Sequence, residues 1–286
     1  MTCLKWLGAA IVLLVVVFLA LSMVGAMRWR GLTDGLIARL EGARKVPTPA
    51  RYDARELEGL PAPVQRYFRA VLTDGSPIVA AATVEHTGTF NLGEGADKWK
   101  PFTSKQRVVT RSPGFVWDGT VAMLPGLPVR VHDAYIAGEG ILHPAILGLF
   151  TLLELRGGGD VAQGELMRFF AEAAWYPTAL LPSQGVRWEA VDEHSARATL
   201  VEGPLSVTMT FRFDSNGLMT SGRAQARGRT VAGKVIPTPW EGRWLNYQPK
   251  DGMTVPMTGE VAWLLPQGDK PYWRGTVVSL KYEFAP

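Results

Sequence analysis

Between Lys5 and Arg28 the chain carries no charged residue. The 22 residues Trp6 to Met27, WLGAAIVLLVVVFLALSMVGAM, would rise about 33 Å as an α-helix, enough to cross a hydrocarbon core about 30 Å thick. This run constrains the chain more than any other feature, because a helix that is apolar on every side needs an apolar surrounding. A secretory signal peptide is the competing reading, since Val24-Gly25-Ala26 presents small residues before a cut at Met27. The run is longer than the usual signal-peptide core, which favours an uncleaved anchor.

The charge pattern leads to the same region. The whole chain is +4. Residues 1–51 hold seven basic residues (Lys5, Arg28, Arg30, Arg39, Arg44, Lys45, Arg51) against Asp34 and Glu41, which leaves the remaining 235 residues at −1. Basic residues next to a span gain about 1 kcal/mol each near an anionic leaflet. The rest of the chain has no field to attract a polyanion, so nucleic acid is not an expected partner. Leu32, Leu36, Ile37 and Leu40 recur at helical spacing among arginines, so the basic flank 28–45 is expected to lie along headgroups. VPTPAR (46–51) then forms a stiff linker. The expected layout is a tail at 1–5, a transmembrane helix at 6–27, a basic segment and linker at 28–51, and a domain at 52–286. The single cysteine, Cys3, excludes an intrachain disulfide and a cysteine-rich zinc site.

Within the domain, Asp53 and Glu56 have capping-box spacing. Val64, Tyr67, Phe68, Val71 and Leu72 after Pro63 predict a helix with one apolar face. From Val79 the period becomes two. Strands are expected near 80–91, 103–110, 115–123, 128–137, 185–191, 195–202, 205–213, 217–228, 236–247, 253–264 and 272–284, with a helical insert around 143–182. In that insert Leu166, Phe169, Phe170 and Ala173 form a core stripe. Glu165, Arg168 and Glu172 fall on the opposite, wet side, and Trp175 falls with them, where it is either covered by the following YPTALLP loop, the favoured reading, or exposed for a partner. No βαβ alternation occurs, so the predicted class is mainly β (α+β), a large curled antiparallel sheet or half-barrel with helices packed on its concave face.

Motifs for familiar chemistry are absent from the sequence. The histidines are scattered without H-E-x-x-H spacing, and there is no G-x-S-x-G, P-loop or dinucleotide fingerprint. No cofactor and no metal ligand set is expected, and Gly157-Gly158-Gly159 reads as a loop. What stands out is tryptophan beside charge. Alternation along the last strand places Tyr272 and Arg274 on the apolar face with Thr276, Val278 and Leu280, so Arg274 is expected to point into the concavity and meet Glu260 or Glu241. Trp175, Trp240, Glu241, Arg243, Glu260, Trp263, Tyr272 and Arg274 are the ligand-binding candidates. An ion-pair network that fixes register, a ligand anchor, and an acid and base pair among Glu172, Glu241 and Glu260 remain open readings.

FVWDG, GLPVRVHDAYIAGEG, RFFAEAAWYPTALLP, VRWEAVD, PTPWEGRW, GEVAWLLPQG and PYWRG resemble, in this order, the blocks of a bacterial family of unknown function, over roughly residues 55–284. That resemblance carries no activity. The order of elements is also similar to the lipoprotein-carrier (LolA-like) half-barrel, an antiparallel sheet curled around an apolar cavity and lidded by helices. Aromatic richness on one sheet face, ionic residues among the aromatics, helices available as a lid and the apolar N-terminal run lead to the expectation of a domain that binds an apolar or amphiphilic ligand, a lipid or acylated molecule, in a Trp- and Tyr-lined concavity, tethered as a single-pass protein of the bacterial inner membrane. An enzyme acting on a hydrophobic substrate and a scaffold without a cavity are the alternatives. The two orientation signals conflict. The carrier-like shape points outside the cytoplasm, which is favoured, and the positive flank points inside.

Overall fold

A computed structural model describes residues 2–93, 95–231 and 234–286. The period-two stretches form one antiparallel sheet. Its first block is β1 (Val79–Asn91), β2 (Trp99–Val109), β3 (Gly114–Leu124), β4 (Leu127–Ile136), β5 (Glu139–Ile146), β6 (Phe150–Thr151) and β7 (Leu155–Gly157). The second is β8 (Arg187–Asp192), β9 (Ser195–Glu202), β10 (Leu205–Phe213), β11 (Met219–Val231), β12 (Lys234–Lys250), β13 (Met253–Leu265) and β14 (Gly268–Phe284). Each block is a meander. They join at mid-sheet, where β1 pairs with β14 and Val84 lies opposite Leu280. The sheet is therefore open, with β6 and β7 at one edge and β8 at the other. β10 shows the face rule most clearly, with Val207, Met209, Phe211 and Phe213 buried and Ser206, Thr208 and Arg212 exposed.

Helices fill half of the concave face. α2 (Ala62–Val71) buries Pro63, Val64, Tyr67, Phe68 and Val71, the predicted stripe. Asp53 accepts from the Arg55 amide as expected of a cap, but Glu56 does not complete a capping box. It accepts instead from the Ser183 amide at 2.9 Å, tying this segment to the turns after the next helix. That helix, α3 (Gly159–Glu172), and the short 3₁₀ turns through Gln184 make up the helical insert. The insert is shorter than expected. Residues 139–157 add three strands, because Ile141, Leu142 and Ala145 extend the sheet beside β4 before the chain turns inward.

α3 crosses the concavity, from Gly140 of β5, which abuts Val161 and Ala162, to Phe211 of β10, which meets Phe170 edge-on at 5.5 Å. Its Leu166, Phe169, Phe170 and Ala173 side is core, as predicted. Its other side is not wet. Glu165, Glu172 and Trp175 are all buried, because the curled sheet covers a helix lying across it from both directions.

α1 (Thr2–Ala43) is one continuous helix. Its apolar part is long and apolar enough to span a membrane and touches almost nothing else in the molecule. From Gly25 onward it lies on the convex face of the sheet. A Cβ at Gly25 would stand 2.1 Å from the Leu147 carbonyl oxygen, so only glycine allows this approach. Trp29 stacks on His132 at 3.9 Å and donates to Asp118 at 2.9 Å, and Thr33 bonds both Asp118 and His132. Leu36, Ile37 and Leu40 pack on Ala81, Val116, Ala134 and Ile141. Arg44 and Arg107 then share Glu41 and Glu283. The expectation that this stripe lies along headgroups is thus corrected, because small residues on the convex face of β1 to β4 give it a protein surface to bury against. Arg28 and Arg30 remain exposed.

Candidate functional site

The half of the concavity not filled by α2 and the turns is a cavity of about 640 Å³, within the range of small-molecule sites. Its floor is the charged side of α3, with Glu165, Arg168, Glu172 and Trp175. Its walls are the inner faces of β1, β3, β4 and β11 to β14. Its far end is bounded by hairpin tips and by Leu152 and Leu153.

A repeated sequence device shapes the walls. In Trp117-Asp-Gly119, Gly242-Arg-Trp244 and Trp273-Arg-Gly275 the tryptophan and glycine are two apart, hence on one face of the strand. In each the indole lies across the glycine. A Cβ would stand 2.0 Å from the ring at Gly119, 2.5 Å at Gly242 and 2.3 Å at Gly275. The residue between them must point the other way, which is why the charges next to these tryptophans lie outside the cavity. Three of the lining indole N–H groups, those of Trp117, Trp175 and Trp244, are buried without an acceptor among the described residues.

The floor is polar. Arg168 donates to Glu172 at 2.8 Å, Asp133 at 2.5 Å and Gln106 at 3.2 Å, and its guanidinium lies over Phe115 and Trp117. Gln106 in turn donates to Glu172 at 2.6 Å. Arg227 sits 3.4 Å from Glu165 and over the Trp240 ring. None of these five charged side chains is more than 15% exposed. Burial, and then the charge of the neighbouring Asp133 carboxylate, push the Glu165 carboxyl well above the usual carboxylate range. Arg168 thus pairs with Asp133 and Glu172, and Arg227 with Glu165. Burial opposes the Arg168 charge, and Glu172, Asp133 and Glu165 more than offset it, so its pKa is raised. Behind the floor His86 packs against Trp175 at 4.6 Å. Burial, with Arg168 adding to it, takes His86 down to about 3, so the ring is neutral.

The candidates named from sequence divide into two groups. Trp175, Trp240, Trp263 and Tyr272 line the cavity, with Trp240 donating to the Tyr272 hydroxyl and Trp263 stacked on its ring. Glu241, Arg243, Glu260 and Arg274 lie on the convex face. There Arg243 bridges Glu241, Glu260 and Asp269, and Arg274 donates to Glu260 at 2.8 Å and covers Trp99. The partner expected for Arg274 is found, but the face is reversed. β14 carries bulges at Val278 and Tyr272, and each adds one residue and flips the alternation. Sequence reasoning missed Asp133, Glu165, Arg168 and Arg227 as site residues. The available signal was Trp175, an apolar ring on the same helix side as Glu165 and Arg168.

The profile of a family of unknown function, DUF6920, matches residues 58–282. The chain belongs to that family. The DUF6920 match takes in every cavity residue named above and stops short of α1, so the cavity is part of the family domain and the apolar helix precedes it. No curated protein matches the sequence. Among solved structures, the chain is similar to a LolA superfamily protein from Nitrosomonas europaea at 11% identity and a TM-score of 0.39, covering 79% of this chain and 94% of that one. It is likewise similar to a DUF1329 family protein from Desulfovibrio piger at 10% identity and a TM-score of 0.39, covering 72% and 86%.

Proposed function

We propose that this protein is a membrane-anchored carrier or receptor for an amphiphilic molecule, whose apolar chain lies between the tryptophan walls and whose polar group meets the floor. The cavity itself carries this reading, since it is apolar along its walls and ends on buried, geometrically fixed donors and acceptors. The Arg168 and Arg227 guanidiniums and the unpaired indole N–H groups favour a ligand that accepts hydrogen bonds there. A scaffold without a cavity would have filled this space with its own side chains. α1 is read as an uncleaved anchor, because the small residues at Val24-Gly25-Ala26 are accounted for by the contact of Gly25 with Leu147. We put the domain outside the cytoplasm, against the positive flank at Arg28 and Arg30, and a compartment reporter fused after Pro286 would test it.

The ligand reading is tested with the full chain in lipid nanodiscs carrying an acyl lipid with a diazirine in its chain. After irradiation and digestion, adducts are expected on the wall and floor segments, Trp117 to Met123 and Val161 to Trp175. Adducts confined to α1 and the surface would refute it.

A further inference from the structure

The strand ends fix which way the cavity opens. β1, β3, β5, β9 and β11 end, and β2, β4, β6, β10, β12 and β14 begin, at one end of the sheet. At that end the cavity residues Leu92 and Val235 are exposed, with Leu124 and Phe150 exposed beside them, and Leu152 and Leu153 are exposed along the open β5 edge that runs down from it. At 42–62% exposure, these six side chains form an apolar rim around the mouth, more than scattered surface residues would give.

The apolar helix leaves from the same end. Going down α1, Phe18 lies against the β3–β4 turn at Gly126, Gly25 against Leu147, Trp29 against Asp118, and Leu40 against Gly114. α1 therefore runs along the strands of β3 and β4, and its free part projects past the rim. Thirteen residues from Trp6 to Phe18 rise about 20 Å, but a hydrocarbon core is about 30 Å thick. The missing 10 Å is the rise from Phe18 to Gly25, the stretch that lies beside the rim. For α1 to span, the rim must enter the bilayer.

We infer that the cavity mouth is seated in the membrane, with Leu92, Leu124, Phe150, Leu152, Leu153 and Val235 immersed, so that an amphiphile passes laterally between the bilayer and the cavity without crossing water. This rests on the anchor and ligand reading above and adds the partner, a lipid surface, and the route. Arg28, Arg30, Lys98 and Lys234 are exposed around the same end, where they would meet phosphate groups. At the opposite end of the sheet α2 lies over the turns, with Arg66 bonding the Glu193 carbonyl and packing against Gly217.

The test uses the full chain with Cys3→Ser, in nanodiscs, carrying a fluorophore on Leu124→Cys, Phe150→Cys or Val235→Cys, with Ser215→Cys in the far hairpin as reference. Lipids bearing nitroxides on their acyl chains are expected to quench all three rim positions and leave position 215 bright. Rim labels as bright as position 215 would overturn the inference, even if the diazirine lipid still labelled the cavity. Quenched rim labels without cavity adducts would uphold the membrane seat and remove the ligand reading instead. The Leu152→Glu, Leu153→Glu double variant adds a check on the route. Cavity adducts from a probe held in the bilayer are expected to fall, while adducts from the same probe in detergent micelles persist. An equal loss in both would count against lateral entry.

Discussion

Replacing Arg168 with methionine keeps most of the side-chain volume over Phe115 and Trp117 and removes the charge. The floor then holds Asp133 and Glu172 without their guanidinium partner, among charged side chains of which none is more than 15% exposed. An unpaired buried carboxylate is unstable enough that one acid of the cluster takes up a proton. With an unfolded pKa near 4, that uptake at pH 7 costs about 1.4 kcal/mol for each of roughly three pH units, or about 4 kcal/mol. This sets a ceiling of the same size as the 3–5 kcal/mol seen when buried pairs are broken. The sign follows from linkage. An acid held protonated in the fold reduces stability only above its unfolded pKa, so the deficit shrinks by about 1.4 kcal/mol per unit as pH falls and is near 1.4 kcal/mol at pH 5. Guanidinium denaturation of Arg168→Met and the parent chain in one detergent, followed by tryptophan circular dichroism at pH 7 and pH 5, measures both numbers. Adding Glu172→Gln should remove most of the pH dependence. A deficit below about 1 kcal/mol at pH 7, or one equal at both pH values, would show that the floor charges are screened by water and that the cavity lacks the dry polar end argued above.

Gly275→Ala sets a Cβ 2.3 Å from the Trp273 ring; a loss of about 1–3 kcal/mol and a changed near-ultraviolet tryptophan signal are expected, and an unaltered signal would mean the indole does not lie over the glycine. His132, pushed down to about 4 by burial first and then by His143 and Arg130, is neutral in the fold and charges near 6.5 when unfolded, so its contribution is lost as pH falls from about 6.5 to 4, about 2 kcal/mol of it by pH 5. His132→Asn should flatten that slope, whereas an imidazole titrating near 6.5 in the folded chain would contradict it. Gly25→Leu drives a side chain into the Leu147 carbonyl and should undock α1 from the sheet, read as a lower melting temperature with membrane insertion intact; an unchanged melting temperature would separate the helix from the body.

The parts of the molecule that were legible in the sequence are those ruled by local periodicity. Apart from the three strands within 139–157, the strands from Val79 to Phe284 and the α2 stripe follow from periods of two and 3.6, and their order implies one large curled antiparallel sheet with helices on it. Two features were hidden for the same physical reason. Alternation assigns faces only while the register is unbroken, and on β14 one extra residue at Val278 and another at Tyr272 reverse it twice. The trace of both bulges is present as adjacent apolar pairs, Val277-Val278 and Tyr272-Trp273, which a strict two-residue period cannot place on one face. The helical wheel of α3 fails in a related way. A wheel separates apolar from polar sides and assumes that the polar side meets water, which holds for a helix on the outside of a sheet. Inside a curled sheet both sides are covered, and the polar side becomes the floor of whatever space the core leaves open. The charges on that side are then too costly to leave unpaired, so they draw partners from distant strands, Gln106, Asp133 and Arg227, which no local pattern connects to α3. A buried helix with one charged side thus implies a polar chamber above it, and the sign that α3 is buried was Trp175, an aromatic ring placed where solvent-facing residues were expected.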